Sequence, residues 1–63
     1  MLRTARFCAG LTQADLAREV GAARMTISYL ERGKSLPSLS LAVALARRFH
    51  LSVEELFPED ELR

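Results

Sequence analysis

The sequence predicts an all-α protein folded as a compact five-helix bundle, and three observations carry that expectation. Apolar residues recur with a helical period along most of the chain. Residues that start and stop helices stand between the apolar stripes, where a bundle needs its turns. No segment alternates apolar and polar residues as a half-buried strand would, and no repeat or low-complexity stretch interrupts the pattern.

The first helix is expected from Leu2 to Ala9, closed by Gly10. The second runs from Gln13 to Val20. Thr12 stands before it as N-cap, and Asp15 is placed to return a bond to the cap's backbone. Leu11 and Leu16 flank that cap as a hydrophobic staple, and Leu16, Ala17 and Val20 form the apolar stripe. Gly21 closes this helix. The third helix spans Arg24 to Arg32 with Ile27 and Leu30 inward and Gly33 after it. Ser38 caps a fourth helix from Leu39 to Phe49, whose stripe reads Leu39, Ala42, Val43, Ala46 and Phe49. His50 follows it, and histidine is among the residues that tolerate positive φ, which gives it a helix-ending role. Ser52 and Glu55 make a second capping box for a last helix from Val53 to Phe57, which Pro58 terminates.

Size and composition narrow the function. The chain has 63 residues, 49% of them apolar and 27% charged. A domain this short buries only ~60% of the surface its unfolded chain exposes. Little room remains for an enzyme's pocket beside the core, and self-association or a partner would help. No nucleophile–base pair, phosphate-cradling loop or metal spacing is present, so no enzyme activity, cofactor or metal is expected. Cys8 is the one cysteine; it is expected on the outer side of the first helix as an inert, partly buried thiol. The segment Met1 to Arg6 lacks the apolar run of a secretory signal, and nothing approaches the ~20 apolar residues of a membrane span. The expectation is a cytoplasmic single-domain protein without a membrane partner.

The net charge of +1 conceals a division. Residues 1–50 carry eight cationic against three acidic side chains, +5 in all. Residues 51–63 carry one against five, or −4. A basic working face with an acidic end held away from it fits that asymmetry.

The second and third helices are joined by only Gly21-Ala22-Ala23. A turn that short makes two helices cross steeply, near ~90–120°. Ala17 is small where the helices pass closest, and Ile27 with Leu30 fills the angle. These are the requirements of a helix-turn-helix unit, here about residues 13–32, whose second helix enters the DNA major groove. The run Gly10-Leu11-Thr12-Gln13-Ala14-Asp15-Leu16-Ala17-Arg18-Glu19-Val20-Gly21 resembles the first half of the Cro/phage-repressor (Xre-type) helix-turn-helix family. Thr26-Ile27-Ser28-Tyr29-Leu30-Glu31-Arg32-Gly33-Lys34 and Pro37-Ser38-Leu39 resemble the second half.

The resemblance implies a lambda-repressor-like DNA-binding domain over residues 1–57, with 58–63 as an acidic tail. It also assigns roles. Arg24, Met25, Ser28 and Tyr29 would read base edges. Gln13, Thr26, Arg32, Lys34 and Ser35 would contact the DNA backbone, with Gln13 also bracing the recognition helix. Arg6 and Glu31 would form a structural ion pair between the first and third helices. Arg24 can donate two bonds to guanine O6 and N7, whereas Arg32 and Lys34 supply charge without sequence information. Three positions depart from the family pattern. Ala23 replaces the usual Ser or Thr cap, Met25 replaces a hydrogen-bonding residue, and Tyr29 is bulky.

One recognition helix reads too few base pairs to single out a site in a genome. The expected function is therefore a sequence-specific double-stranded DNA-binding regulator of bacterial or phage type, a repressor acting as a homodimer on a two-fold symmetric operator. Leu51, Val53, Leu56 and Phe57 are the expected dimer interface, with Leu62 folding back onto it. The competing use of Leu56 and Phe57 is closure of the monomer core. Phe7 is a further candidate surface residue, or else packs against the last helix. The alternative function is an antitoxin-like or adaptor protein whose main task is to bind a partner protein.

Overall fold

The computed structural model describes residues 1–58; the acidic segment from 59 onward, with Leu62, lies outside the described residues. Five helices follow in order: α1 Leu2–Cys8, α2 Gln13–Val20, α3 Arg24–Glu31, α4 Leu39–Phe49 and α5 Val53–Leu56. The described residues contain no strand, and none of their helices is long and apolar enough to cross a membrane. The three helices expected to run one residue further, α1, α3 and α5, end one residue earlier, with Ala9, Arg32 and Phe57 as their C-caps.

Local chemistry sets the helix boundaries. The Thr12 hydroxyl accepts from the Asp15 amide at 3.0 Å, and the Asp15 carboxylate accepts from the Thr12 amide at 3.0 Å. Ser52 and Glu55 repeat this reciprocal arrangement at 3.0 and 2.9 Å. Ser38 Oγ accepts from the Leu41 amide at 3.3 Å. Gly21 ends α2 at φ 72°, ψ 33°, which lets the Ala22 amide reach back to the Ala17 carbonyl at 2.9 Å. His50 takes the same left-handed conformation at φ 55°, and the Leu51 amide then bonds the Ala46 carbonyl at 3.0 Å.

The core is a cluster of Leu2, Leu16, Ala17, Ile27, Leu30, Leu45 and Leu56. Leu11, Val20, Leu41, Ala46, Phe49, Leu51 and Phe57 pack around it. α2 and α3 share the most extensive contact; α4 closes one side of the pair, and α1 packs on α3. The apolar stripe of α4 is rotated from the expected one. Leu39 is 81% exposed, and Leu45, outside the expected stripe, is fully buried. The Ser38 cap makes Leu39 the first helical residue, and from there Ala42, Leu45, Ala46 and Phe49 share the inward face at helical spacing.

Leu56 requires a second correction. It is 1% exposed and sits in the monomer core, so it has no surface to offer a second copy. Leu51 and Phe57 are partly covered by the same core, which leaves Val53, 37% exposed, as the most open of the four. Phe7 does not pack into the bundle. Its ring is exposed and lies beneath the Arg6 and Arg3 guanidiniums, with Cζ at 4.7 and 5.6 Å from the centroid. The Cys8 thiol is likewise exposed rather than partly buried.

Candidate nucleic-acid interface

α2 carries the site and α3 presents it. Ile27 and Leu30 point into the core, and Ala17 lets α3 cross close over α2. Because one face of α3 is fixed inward, the opposite face is turned out: Arg24, Met25 and Tyr29 are exposed, and Thr26 and Ser28 are half-buried at its edges. Arg32, Lys34 and Ser35 follow α3 as an exposed, cationic segment. Of the residues expected to touch bases or phosphates, Arg24, Met25, Tyr29, Arg32, Lys34 and Ser35 are exposed, and Gln13, Thr26 and Ser28 are half-buried.

Below this surface lies an ion pair. Arg6 Nε donates to Glu31 Oε2 at 2.5 Å and Nη2 donates to Oε1 at 3.1 Å. The two side chains are 8% and 3% accessible. Arg6 Nη1 also donates to the Leu11 carbonyl at 2.9 Å, tying the α1–α2 turn to the same guanidinium. The pairing raises the Arg6 pKa through the hydrogen bond to Glu31, against the opposing effect of burial. Burial would push the Glu31 carboxyl up, but the bonds from Arg6 and Gln13 and the Arg6 charge hold it below its ordinary value. Both groups are therefore charged at neutral pH. Among the described residues, no buried side-chain nitrogen or oxygen lacks a partner.

Gln13 joins that pair to the exposed face. Its Nε2 donates to Glu31 Oε1 at 3.2 Å, and its Oε1 accepts from Arg24 Nη1 at 3.2 Å. Arg24 Nη2 lies 3.5 Å from Met25 Sδ, so the guanidinium is held along the start of α3. At the other end, Arg32 folds back over Tyr29, with Cζ 5.2 Å from the ring centroid and Nε donating to the Ser28 carbonyl at 3.4 Å. Ala23 has the extended dihedrals of an N-cap but no side chain to accept a bond, so the amides of the first turn of α3 lack that partner. An open depression of about 490 Å³ runs beside the site, lined by Arg6, Phe7, Gly10, Leu11, Thr12, Gln13, Ala14 and Arg24.

Sequence reasoning expected Gln13 to brace the recognition helix but did not name Glu31 as its partner; the spacing of 18 residues has no local signature, and the packing of α2 on α3 brings the two side chains together. It also missed the Arg48 Nε–Glu19 Oε1 contact at 2.5 Å, which links α4 to α2 on the surface.

Two packed helices joined by a three-residue turn, the second with one face exposed and followed by a cationic segment, define a helix-turn-helix protein. Comparison with known sequences agrees. The sequence model of the helix-turn-helix family (Cro/C1-type) matches residues 3–56, and this chain belongs to that family. Among its relatives is an uncharacterized HTH-type transcriptional regulator of Archaeoglobus fulgidus, 50% identical over 82% of this chain and 74% of its own length. Another, from Methanothermobacter thermautotrophicus and also named an uncharacterized HTH-type transcriptional regulator, is 45% identical over 97% of this chain and 90% of its own. The uncharacterized HTH-type transcriptional regulator YgzD of Bacillus subtilis is 38% identical over 84% and 77%. These relatives come from archaea as well as bacteria, a wider setting than the bacterial or phage one expected. No solved structure matches the chain.

Proposed function

We propose that this protein is a sequence-specific double-stranded DNA-binding transcriptional regulator, acting as a homodimer and repressing by occupying a promoter. The observation that carries the reading is the outward face of α3, where Arg24, Met25 and Tyr29 stand exposed above a core held by Ile27 and Leu30. Arg24 reads guanine, and Met25 and Tyr29 supply apolar contact to a thymine methyl or a sugar. Gln13, Thr26, Arg32, Lys34 and Ser35 set the register on the phosphates. The names of the relatives support the regulatory role.

A two-fold symmetric operator places half-sites ~34–36 Å apart. At the α5 end the apolar surface available for pairing is Val53 together with the uncovered parts of Leu51 and Phe57. The domain is read as residues 1–57, and its work is binding rather than catalysis.

Selection of bound duplexes from a random pool at ~0.15 M salt tests the reading. Enrichment of a two-fold symmetric motif with half-sites about one helical turn apart is the expected result. Salt-sensitive background binding with no enriched motif would overturn it and favour the partner-protein alternative.

A further inference from the structure

We propose that α1 adds an outer contact to the DNA interface: Phe7 packs against a deoxyribose of the backbone beside the half-site, and Arg3, stacked on its ring, takes the adjoining phosphate. The assignment rests on the reading of α3 as the DNA-facing helix and extends that surface to an element outside the helix-turn-helix unit.

Phe7 is the unexplained residue of α1. The helix turns Leu2 and Arg6 inward and leaves Arg3 and Phe7 outside, one turn apart on a shared face. The ring is 61% exposed. Leaving it in water forgoes one of the larger apolar contributions open to a short chain. Two guanidiniums stand over it, Arg6 at 4.7 Å and Arg3 at 5.6 Å from the centroid. They differ in what they have left to give. Arg6 spends Nε and Nη2 on Glu31 and Nη1 on the Leu11 carbonyl, and Glu31 neutralises its charge. Arg3 makes no hydrogen bond or close ion pair among the described residues, and only its charge reaches Glu31. The ring thus holds a cation whose donors are open.

The depression beside the ring joins it to the DNA surface. Phe7 and Leu11 line it together with Gln13 and Arg24. Its lining has cationic but no acidic side chains. With Arg6 neutralised, the net positive charge comes from Arg24, and Arg3 adds to it from above Phe7. Phe7, Leu11 and Ala14 supply the apolar part. Apolar surface next to positive charge complements a sugar–phosphate unit, whose deoxyribose offers C–H groups and whose phosphate offers charge. A volume of about 490 Å³ is on the scale of a small ligand, which suits one nucleotide of backbone. A strand gripped at Gln13 and Arg24 therefore continues over Phe7. A protein docked on the ring would occupy the same depression and compete with DNA.

Full-length wild type, Arg3→Ala, Phe7→Ala and Lys34→Ala are compared on one mixed-sequence duplex from ~50 to ~200 mM salt, since a backbone contact needs no operator. Arg3 and Phe7 lie outside the core cluster, and thermal melting verifies that each variant is folded. Phe7→Ala should weaken binding about three- to tenfold at every salt concentration with an unchanged slope, because apolar burial releases no counterion. Arg3→Ala should flatten the slope by about one per bound copy, as Lys34→Ala does. In the proton spectrum of wild type, the Phe7 ring resonances, assigned by their loss in Phe7→Ala, should shift when duplex is added. Wild-type affinity in both α1 variants, with Lys34→Ala weakened, would overturn the proposal and leave the α3 surface standing. Ring resonances unmoved by duplex, with Phe7→Ala sedimenting as a smaller species than wild type, would overturn it in favour of a second copy of this chain. A wild type that binds no duplex even at ~50 mM salt would instead remove the reading of α3 on which the proposal rests.

Discussion

Replacing Arg6 by alanine leaves the Glu31 carboxylate, 3% accessible in wild type, with Gln13 as its remaining side-chain hydrogen-bond donor among the described residues and the Arg3 charge as a weaker influence. It also removes the bond to the Leu11 carbonyl. Taking one partner from a buried pair costs about 3–5 kcal/mol, because the other charge is left without compensation. In a domain of this size 1 kcal/mol moves the melting temperature by about 4–8 °C. At the lower bound of ~3 kcal/mol, Arg6→Ala should therefore melt at least about 12 °C below wild type at pH 7. Thermal unfolding followed by circular dichroism measures this. The pH dependence tests the cause. In wild type the folded Glu31 pKa lies below its ordinary value of 4.5. Its contribution to stability is present above that value and is lost as pH falls through the lowered one. In Arg6→Ala the hydrogen bond and charge of Arg6 no longer lower the carboxyl while burial still raises it, so the folded pKa rises from its wild-type position. The variant then loses less stability than wild type as the group is protonated, and the gap between them should narrow from pH 7 to pH 4. A melting temperature within about 2 °C of wild type would refute the buried-pair reasoning. A loss equal at both pH values would refute its attribution to the stranded charge.

Other expectations concern DNA and the helix ends. Arg24→Ala should relax preference at one base pair in each half-site, whereas Lys34→Ala should weaken all sequences alike and flatten the salt slope by about one per site; equal weakening by both would remove Arg24 from base reading. Ala23→Ser should stabilise the fold by about 1 kcal/mol, since the backbone already has cap dihedrals, and chemical denaturation would show it as a higher midpoint with unchanged slope. His50→Gly should also stabilise by up to about 1 kcal/mol, because the left-handed conformation costs histidine more than glycine loses in the unfolded chain. A midpoint below wild type would show that His50 contributes something beyond its backbone geometry.

What could be read from sequence was mostly local. Thr12 with Asp15, Ser52 with Glu55, Gly21 and His50 act within a few residues, and each marked its helix end because capping depends on nearby backbone groups alone. The α4 stripe was misplaced by rotation. Leu39, Val43 and Leu45 are all apolar, and only the cap at Ser38 and the packing partners select Leu45 for the core. Leu56 illustrates a similar ambiguity, because an apolar residue on a four-residue helix fits a core or an interface equally well until its neighbours are known. Phe7 is apolar by type, yet two arginines on its own helix occupy its ring face, a pairing that hydrophobic periodicity does not register. At the site, the resemblance implied that Gln13 braces the recognition helix, but its partners Glu31 and Arg24 were not legible, since they depend on how α2 and α3 pack.

The division of α3 into an inner and an outer face has a consequence for how such a protein changes over generations. Ile27 and Leu30 secure the helix, while Met25 and Tyr29 lie outside the core cluster. Substitutions at the exposed pair are of the kind that usually alter stability by less than ~0.5 kcal/mol. If this face reads bases as proposed, a lineage can exchange one set of target sites for another by altering these side chains, without first acquiring spare stability. Position 24 is less free, because a new residue there must still suit the carbonyl of Gln13. Divergence of the recognised sequence should begin at Met25 and Tyr29 and reach the base opposite Arg24 last.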